Sequence, residues 1–289
     1  MSVSVAPSYP TTSTSRSTPP TFPAAGGRRQ RRATLGSGRA TVCAVLNVEI
    51  DGGPATPELL ARGLLANYGH FTAMQVRDRR VKGLDLHLRR LDAAHRELYG
   101  AGLPGGRVRE LVRRALGGVR DAAVRVTVFG LDEPSVLVAV RPPTAPPGTP
   151  RRLRSVDYTR PLPHVKHVGG FGQLHHARLA RDAGFDDALL TTRDGVVVEG
   201  ATANIGFLDD DGVVWPEADW LHGTAMRLLE RALPSRREVV RLADVGRYRG
   251  AFLASSIGVV AVSGIDGARF AADCAEVRRA YDAVPGDPL

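Results

Sequence analysis

Between Pro142 and Pro150, five of nine residues are proline. Proline fixes φ, removes a backbone donor and pushes the residue before it toward extended backbone. This stretch can be neither a helix nor a central strand. It divides the chain, and each side must build its own secondary structure. With 289 residues, 43% of them hydrophobic, there is enough chain for two ordinary domains with buried cores. The expected division is an extension at 1–40, a small α/β domain at 41–141, a linker at 142–151 and a larger domain at 152–289.

Residues 1–40 are Ser, Thr, Pro, Gly and Arg with almost no large apolar side chain. Such a segment cannot bury enough surface to offset its ordering entropy and is expected to be disordered. Strands are expected at 42–50, 71–76, 80–81, 124–129 and 135–141. Leu84, Leu88, Leu91, His95 and Leu98 recur at helical spacing, with Gly100 as a stop. A second helix is expected at 106–117. Beyond the linker, strands are expected at 152–158, 187–192, 196–199, 203–208, 213–215, 252–255 and 259–262. Helices are expected there at 173–183, 224–233 and 268–283. Strands and helices mix without strict βαβ alternation, which makes the fold class α+β.

The formal net charge of +9 invites a nucleic-acid reading. The basic residues are spread along the chain, and the one dense run, Arg28-Arg29-Gln30-Arg31-Arg32, lies in the extension. No aromatic-interleaved basic motif or zinc-finger spacing occurs, so no nucleic-acid partner is expected. No run of 18 apolar residues and no signal pattern occur, so no membrane span is expected. Cys43 and Cys274 form neither a disulfide framework nor a zinc spacing, which points to the cytoplasm.

The chemistry narrows through lysine. Of 39 Lys+Arg residues only Lys82 and Lys166 are lysines. Covalent amine chemistry cannot use a guanidinium, which stays protonated and is not nucleophilic. Lys82 sits in a polar turn, whereas Lys166 lies among apolar and small residues in Pro163-His164-Val165-Lys166-His167-Val168-Gly169-Gly170. A lysine in such a place is either an error of folding economy or a Schiff-base lysine. Glu199 ends the β-branched run Val196-Val197-Val198, where an acid without a partner is out of place. It is either an edge carboxylate in water or the partner of a protonated heterocyclic nitrogen. His164, His167, His175 and His176 lie near Lys166, but no carboxylate or cysteine joins them at ligand spacing, and no metal is expected.

Lys166, the run Ala183-Gly184-Phe185-Asp186-Asp187-Ala188-Leu189-Leu190, the run from Asp194 through Glu199-Gly200-Ala201-Thr202-Ala203 to Asn204, and Leu221-His222-Gly223-Thr224 together resemble class IV pyridoxal-phosphate aminotransferases. This family includes branched-chain and D-amino-acid aminotransferases and aminodeoxychorismate lyases. The resemblance covers about 42–285 and is most specific at 163–230. It implies a two-domain fold-type IV enzyme and a homodimer. It also implies pyridoxal 5'-phosphate as cofactor, and an amino acid and a 2-oxo acid as substrates. Lys166 would hold the cofactor and move a proton, and Glu199 would keep its ring nitrogen protonated. Arg90, the helix start at Gly223, Thr224 and Ala225, and the hydroxyls of Ser255 and Ser256 would hold its phosphate. Arg125 would face a substrate carboxylate. Three positions depart from the pattern. Phe171 stands at or near a tyrosine that touches the cofactor's phenolic oxygen, Gln75 where arginine is common, and Ala225 where a hydroxyl is usual. A pyruvate-releasing lyase on the same cofactor, or a non-catalytic relative binding cofactor or partner, are the alternatives to transamination.

Overall fold

The computed structural model of the chain describes residues 45–271 and 273–289. The extension 1–40 and residues 42–44 of the first expected strand lie outside them. Before the linker the order is β1 (Asn47–Ile50), β2 (Gly53–Pro54), α1 (Pro57–Ala66), β3 (Gly69–Arg77), β4 (Arg80–Lys82), α2 (Leu84–Tyr99), α3 (Gly105–Leu116), β5 (Ala122–Phe129) and β6 (Ser135–Arg141). After it come β7 (Arg151–Asp157), α4 (Phe171–Asp182), β8 (Asp187–Thr191), β9 (Val197–Gly200), β10 (Asn204–Asp209), β11 (Gly212–Pro216) and α5 (Thr224–Ala232). β12 (Ser235–Glu238), a short 3-10 helix at Leu242–Arg247, β13 (Gly250–Ser255), β14 (Gly258–Ile265), β15 (Ala268–Arg269), α6 (Ala275–Ala283) and β16 (Gly286–Pro288) complete the chain.

Among the described residues the strands form two sheets within one compact unit. The first runs β16-β4-β3-β5-β6-β1-β2 and is antiparallel throughout. Side chains alternate across a strand, so its two faces have separate fates. Met74 and Val76, Val124, Val126 and Val128, and Val136, Val138 and Val140 form one face and bury against α2 and α3. The other face carries Phe71, Ala73 and Gln75, with Ala123 and Arg125. The strand register sets Arg125 opposite Ala73 and Arg141 opposite Ala123, so Arg141 joins that face.

The second sheet runs β12-β11-β10-β13-β14-β7-β8-β9, with β15 on β14. One face buries Trp215, Phe252 and Ala254 under Met226 and Leu229 of α5 and Val277 and Tyr281 of α6. The other buries Ile205, Phe207, Leu253 and Val262 with Tyr248 and Phe270. The proline-rich segment between β6 and β7 is tied to the first sheet: Thr144 N donates to Gln75 Oε1 at 3.0 Å, and Arg77 Nη2 donates to Thr144 O at 3.0 Å.

The expected helix at 268–283 is corrected. Asp266 adopts φ 48°, the chain reverses at Asp266-Gly267, and Ala268–Arg269 pair back onto Gly264 and Ile265. Phe270 then packs into the core, and only Ala275–Ala283 are helical. α1 was not expected. Thr56 caps it by accepting from Leu59 N, Pro57 sits at its start, and Leu59, Leu60, Leu64 and Leu65 recur along it, but none of its residues is buried. The edge strands β12 and β16 likewise carry no strand-like alternation.

Candidate active site

Lys166 reaches its place by a backbone graft. Phe71 N donates to Lys166 O at 2.8 Å and Val168 N to Gly69 O at 2.9 Å, an antiparallel bridge that sets 166–168 along the free end of β3. The Nζ lies 4.9 Å from the centre of the Phe71 ring, and the Arg125 guanidinium lies 3.6 Å from that same ring. Burial pulls the Lys166 pKa from 10.5 down to about 7, helped by Arg90, Arg160 and Arg125 and opposed by Glu199. A large part of this amine is therefore neutral, and nucleophilic, near neutral pH.

Glu199 is a buried residue of β9, 6% exposed. Its partner is Arg160, whose Nε sits 2.8 Å from Glu199 Oε1, both side chains being almost fully buried. This is an ion pair without aligned hydrogen-bond geometry, because Arg160 Nε makes no hydrogen bond. Arg160 also donates through Nη2 to Pro163 O. Burial raises the Glu199 pKa, against the opposing pull of Arg160, Lys166 and the Leu221 N–H. The next peptide is held by Asn204, whose Nδ2 donates to Leu221 O at 2.7 Å. A Cβ on Gly223 would fall 2.1 Å from Asn204 Oδ1, so this close approach requires glycine. β9 and β10 thereby fix the peptide that leads into α5.

That peptide presents a bare helix start. Gly223 is the N-cap of α5, no side chain caps the helix, and its first turn carries no acid. Its leading N–H groups are open to an anion. Arg90 of α2 adds a cation: its Nη2 donates to Thr72 Oγ1, while its buried Nε has no partner among the described residues. Part of the side chain stays open while the Nε is covered. Burial, then Arg227, lower the Arg90 pKa to about 10, so it remains charged at neutral pH. His87 is buried against Thr72 Oγ1 at 2.7 Å and is held well below its ordinary pKa by burial and the Arg90 charge, so it is neutral.

These groups share one cavity of about 420 Å³. Lys166, Glu199, Arg90, Arg125, Gly223, Thr224, Ala225, Ser255 and Ser256 all line it. Of the four histidines near Lys166, His167 also lines the cavity, but the four make separate contacts. His164 pairs with Glu97 at 2.9 Å, His167 Nε2 bonds Pro161 O at 2.9 Å, His175 stacks on Phe171, and His176 packs on Tyr158.

The class IV aminotransferase family model matches residues 69–265. The chain belongs to that family. Its fold matches a hypothetical aminotransferase from Mycobacterium tuberculosis in its PLP-bound form, with TM-score 0.71 and 22% identity over 83% of this chain and 98% of that one. It also matches the branched-chain aminotransferase of Thermoproteus uzoniensis with norvaline, with TM-score 0.72 and 19% identity over 83% of this chain and 94% of that one. A fold IV transaminase from Curtobacterium pusillum aligns with TM-score 0.66 and 22% identity over 76% of this chain and 85% of that one. At these identities the likeness shows the fold. No curated protein matches the chain in sequence.

Within this class IV fold, Arg160, Gln173 and Arg141 are among the cavity residues to which the sequence assigned no role. Arg160 precedes Lys166 by six positions in an unremarkable Arg-Pro pair. Gln173 and Arg141 also line the cavity. Only the register between β5 and β6 reveals that Arg141 shares the face of Arg125.

Proposed function

We propose that the chain is a pyridoxal-phosphate-dependent aminotransferase that moves an amino group between an amino acid and a 2-oxo acid, with Lys166 and Glu199 as its catalytic pair. The observation that carries this reading is one cavity holding a near-neutral buried amine, a buried carboxylate and a cationic end with a partnerless buried Arg90 Nε. The unfilled hydrogen-bonding groups at Arg90 and at the start of α5 fit a phosphate. Glu199 fits a ring nitrogen, and Lys166 fits an aldehyde. When bound, the cofactor supplies an electrophilic carbonyl and a ring that withdraws electrons from the substrate's α-carbon.

The chain's own groups do the rest. Lys166 Nζ, in large part neutral near pH 7, would hold the cofactor and, once released, take and return the proton at the α-carbon. Glu199 keeps a proton at the ring nitrogen, and Arg160 holds that carboxylate in place. Arg90, Gly223, Thr224, Ala225, Ser255 and Ser256 bind the phosphate. Arg125, with no carboxylate partner among the described residues, binds a substrate carboxylate. The functional division is 41–141, which gives Arg90 and Arg125, and 152–289, which gives Lys166 and Glu199, joined at 142–151.

A homodimer in the cytoplasm completes the reading. Phe171, Leu174 and Leu179 expose an apolar stripe on α4 that a second copy would cover. Among the described residues no helix is long and apolar enough to cross a membrane. The test is spectroscopic. Purified protein with pyridoxal phosphate should develop a visible band, and borohydride should trap the cofactor on Lys166. An amino acid alone should discharge the band in one stoichiometric half-reaction, and a 2-oxo acid should restore it. Trapping at Lys82 would end this reading. Catalytic pyruvate release from aminodeoxychorismate with the band intact would make the protein a lyase, and absence of any band would make it a non-catalytic relative.

A further inference from the structure

The cavity is rich in positive charge. Four arginines and one lysine line it, against a single carboxylate, Glu199. Most of these cations have an anion to meet. Arg160 pairs with Glu199, and Lys166 is in large part neutral near pH 7. In the reading above, Arg90 meets a phosphate and Arg125 a substrate carboxylate. One cation is left over. Arg141 lines the cavity and pairs with no carboxylate among the described residues.

The first sheet sets where Arg141 stands. Arg125 faces Ala139 across β5 and β6, and Arg141 comes two residues after Ala139, so the two arginines are diagonal neighbours on one face. Diagonal neighbours lie about 7–8 Å apart. The positions around them are small. Ala73 lies opposite Arg125 on β3, and Ala123 lies between Gln75 and Arg141 in the next row. Alanine at these places leaves room over the sheet for two long side chains and a ligand. The Arg125 guanidinium is held by Thr127, whose Oγ1 accepts from its Nε at 3.1 Å, and by the Phe71 ring. Lys166 Nζ lies over that same ring, so Arg125 is the arginine beside the reacting amine. Gln75 is already engaged by Thr144 N. Burial, then the charge of Arg141, lower the Arg125 pKa, so the two cations repel until anions join them.

We propose that Arg141 is a specificity-determining residue that binds a second carboxylate of the substrate, while Arg125 holds the α-carboxylate. The substrates are then an acidic amino acid and its 2-oxo diacid, with four or five carbons. This rests on the aminotransferase reading above. A guanidinium offers a fork of donors that matches a carboxylate, and two forks rooted at diagonal positions can converge on both ends of a short diacid. A substrate with one carboxylate would leave Arg141 unpaired beside another cation. A diacid gives each charged arginine of the cavity its own anion.

The test compares wild type with Arg141→Met, which keeps the length and removes the charge, and with Arg141→Lys, which keeps the charge and loses the fork. Circular dichroism checks folding. Each protein is reconstituted with pyridoxal phosphate, and discharge of the visible band is followed by stopped flow. The donors are glutamate and aspartate, their amides, and norvaline, each as both enantiomers. Calorimetric titration with glutarate and with pentanoate, with and without cofactor, gives a readout independent of turnover. Wild type should prefer a diacid to its amide by at least about tenfold in kcat/KM. Arg141→Met should lower kcat/KM for that diacid by about ten- to hundredfold, chiefly through KM, and weaken glutarate in parallel. Norvaline and pentanoate should change by less than about twofold, and Arg141→Lys should recover part of the loss. No preference for a diacid in wild type would overturn the proposal. An equal loss for diacid and norvaline in Arg141→Met would also overturn it, leaving Arg141 a residue that positions Arg125. Failure of wild type to form the visible band would overturn the aminotransferase reading instead, and glutarate binding would still decide the Arg141 contact.

Discussion

Lys166 carries a measurable penalty in the cofactor-free protein. It titrates near 10.5 in an unfolded chain and near 7 in the folded one. Between those values the unfolded state binds more protons, so this residue makes stability rise from pH 7 to 10.5, and its cost is fully present below 7. Lys166→Met is therefore expected to stabilise the cofactor-free protein by roughly 2–4 kcal/mol at pH 6 and much less at pH 10. Thermal melts at the two pH values check this; an equal effect at both would refute it. Glu199→Gln keeps the shape of the site but removes the anion at the ring nitrogen. It should retain cofactor and lose about 3–4 kcal/mol of barrier lowering, roughly 10²–10³-fold in half-reaction rate, read by stopped flow. Arg90→Ala should act on affinity instead. A partly desolvated guanidinium–phosphate contact is worth about 1.5–3 kcal/mol, so the dissociation constant for pyridoxal phosphate should rise roughly ten- to hundredfold in a titration.

Elements meet at places where a single side chain settles their ends. Lys82, the other lysine, is the example. Its Nζ donates to Tyr281 O at 2.9 Å, Asp282 O at 2.6 Å and Val284 O at 2.8 Å. Three carbonyls at the C-terminal end of α6 converge on one compact ammonium, a geometry that a planar guanidinium cannot reproduce. This explains a lysine where the chain otherwise uses arginine. Lys82→Met should cost about 1–3 kcal/mol and lower the melting temperature, with Lys82→Arg recovering only part of it. A full recovery by arginine would mean that the charge alone matters.

On the scale of the whole molecule, the cavity exists because the chain folds back on itself. Arg90 and Arg125 come from before the linker, whereas Lys166 and Glu199 come from after it. The graft of 166–168 onto β3, and the return of β16 to β4, join the two parts. The cavity-lining residues all fall between Phe71 and Ile257 in the sequence, and the composition of 1–40 supports no core. A chain starting near Thr41 should keep its melting temperature and its cofactor spectrum. A drop of more than a few degrees would show that the extension docks.

Sequence by itself determined the features that depend on local or linear patterns. The helices α2 and α3 follow from apolar spacing with glycine stops, and β5 and β6 from β-branched runs. The scarcity of lysine singled out Lys166, and the spacing from Lys166 through Glu199 to Gly223 and Thr224 pointed to the family. Tertiary structure decided whatever depends on neighbours distant in sequence. β12 and β16 exist because a sheet edge offers them hydrogen bonds, and α6 is short because the hairpin at Asp266-Gly267 seats Phe270 in the core. Arg160 becomes the partner of Glu199, and Arg141 the neighbour of Arg125, only when strands and loops fall into register. The burial of Gln173 in the first turn of α4 is likewise a property of the packed interior rather than of any local run of residues.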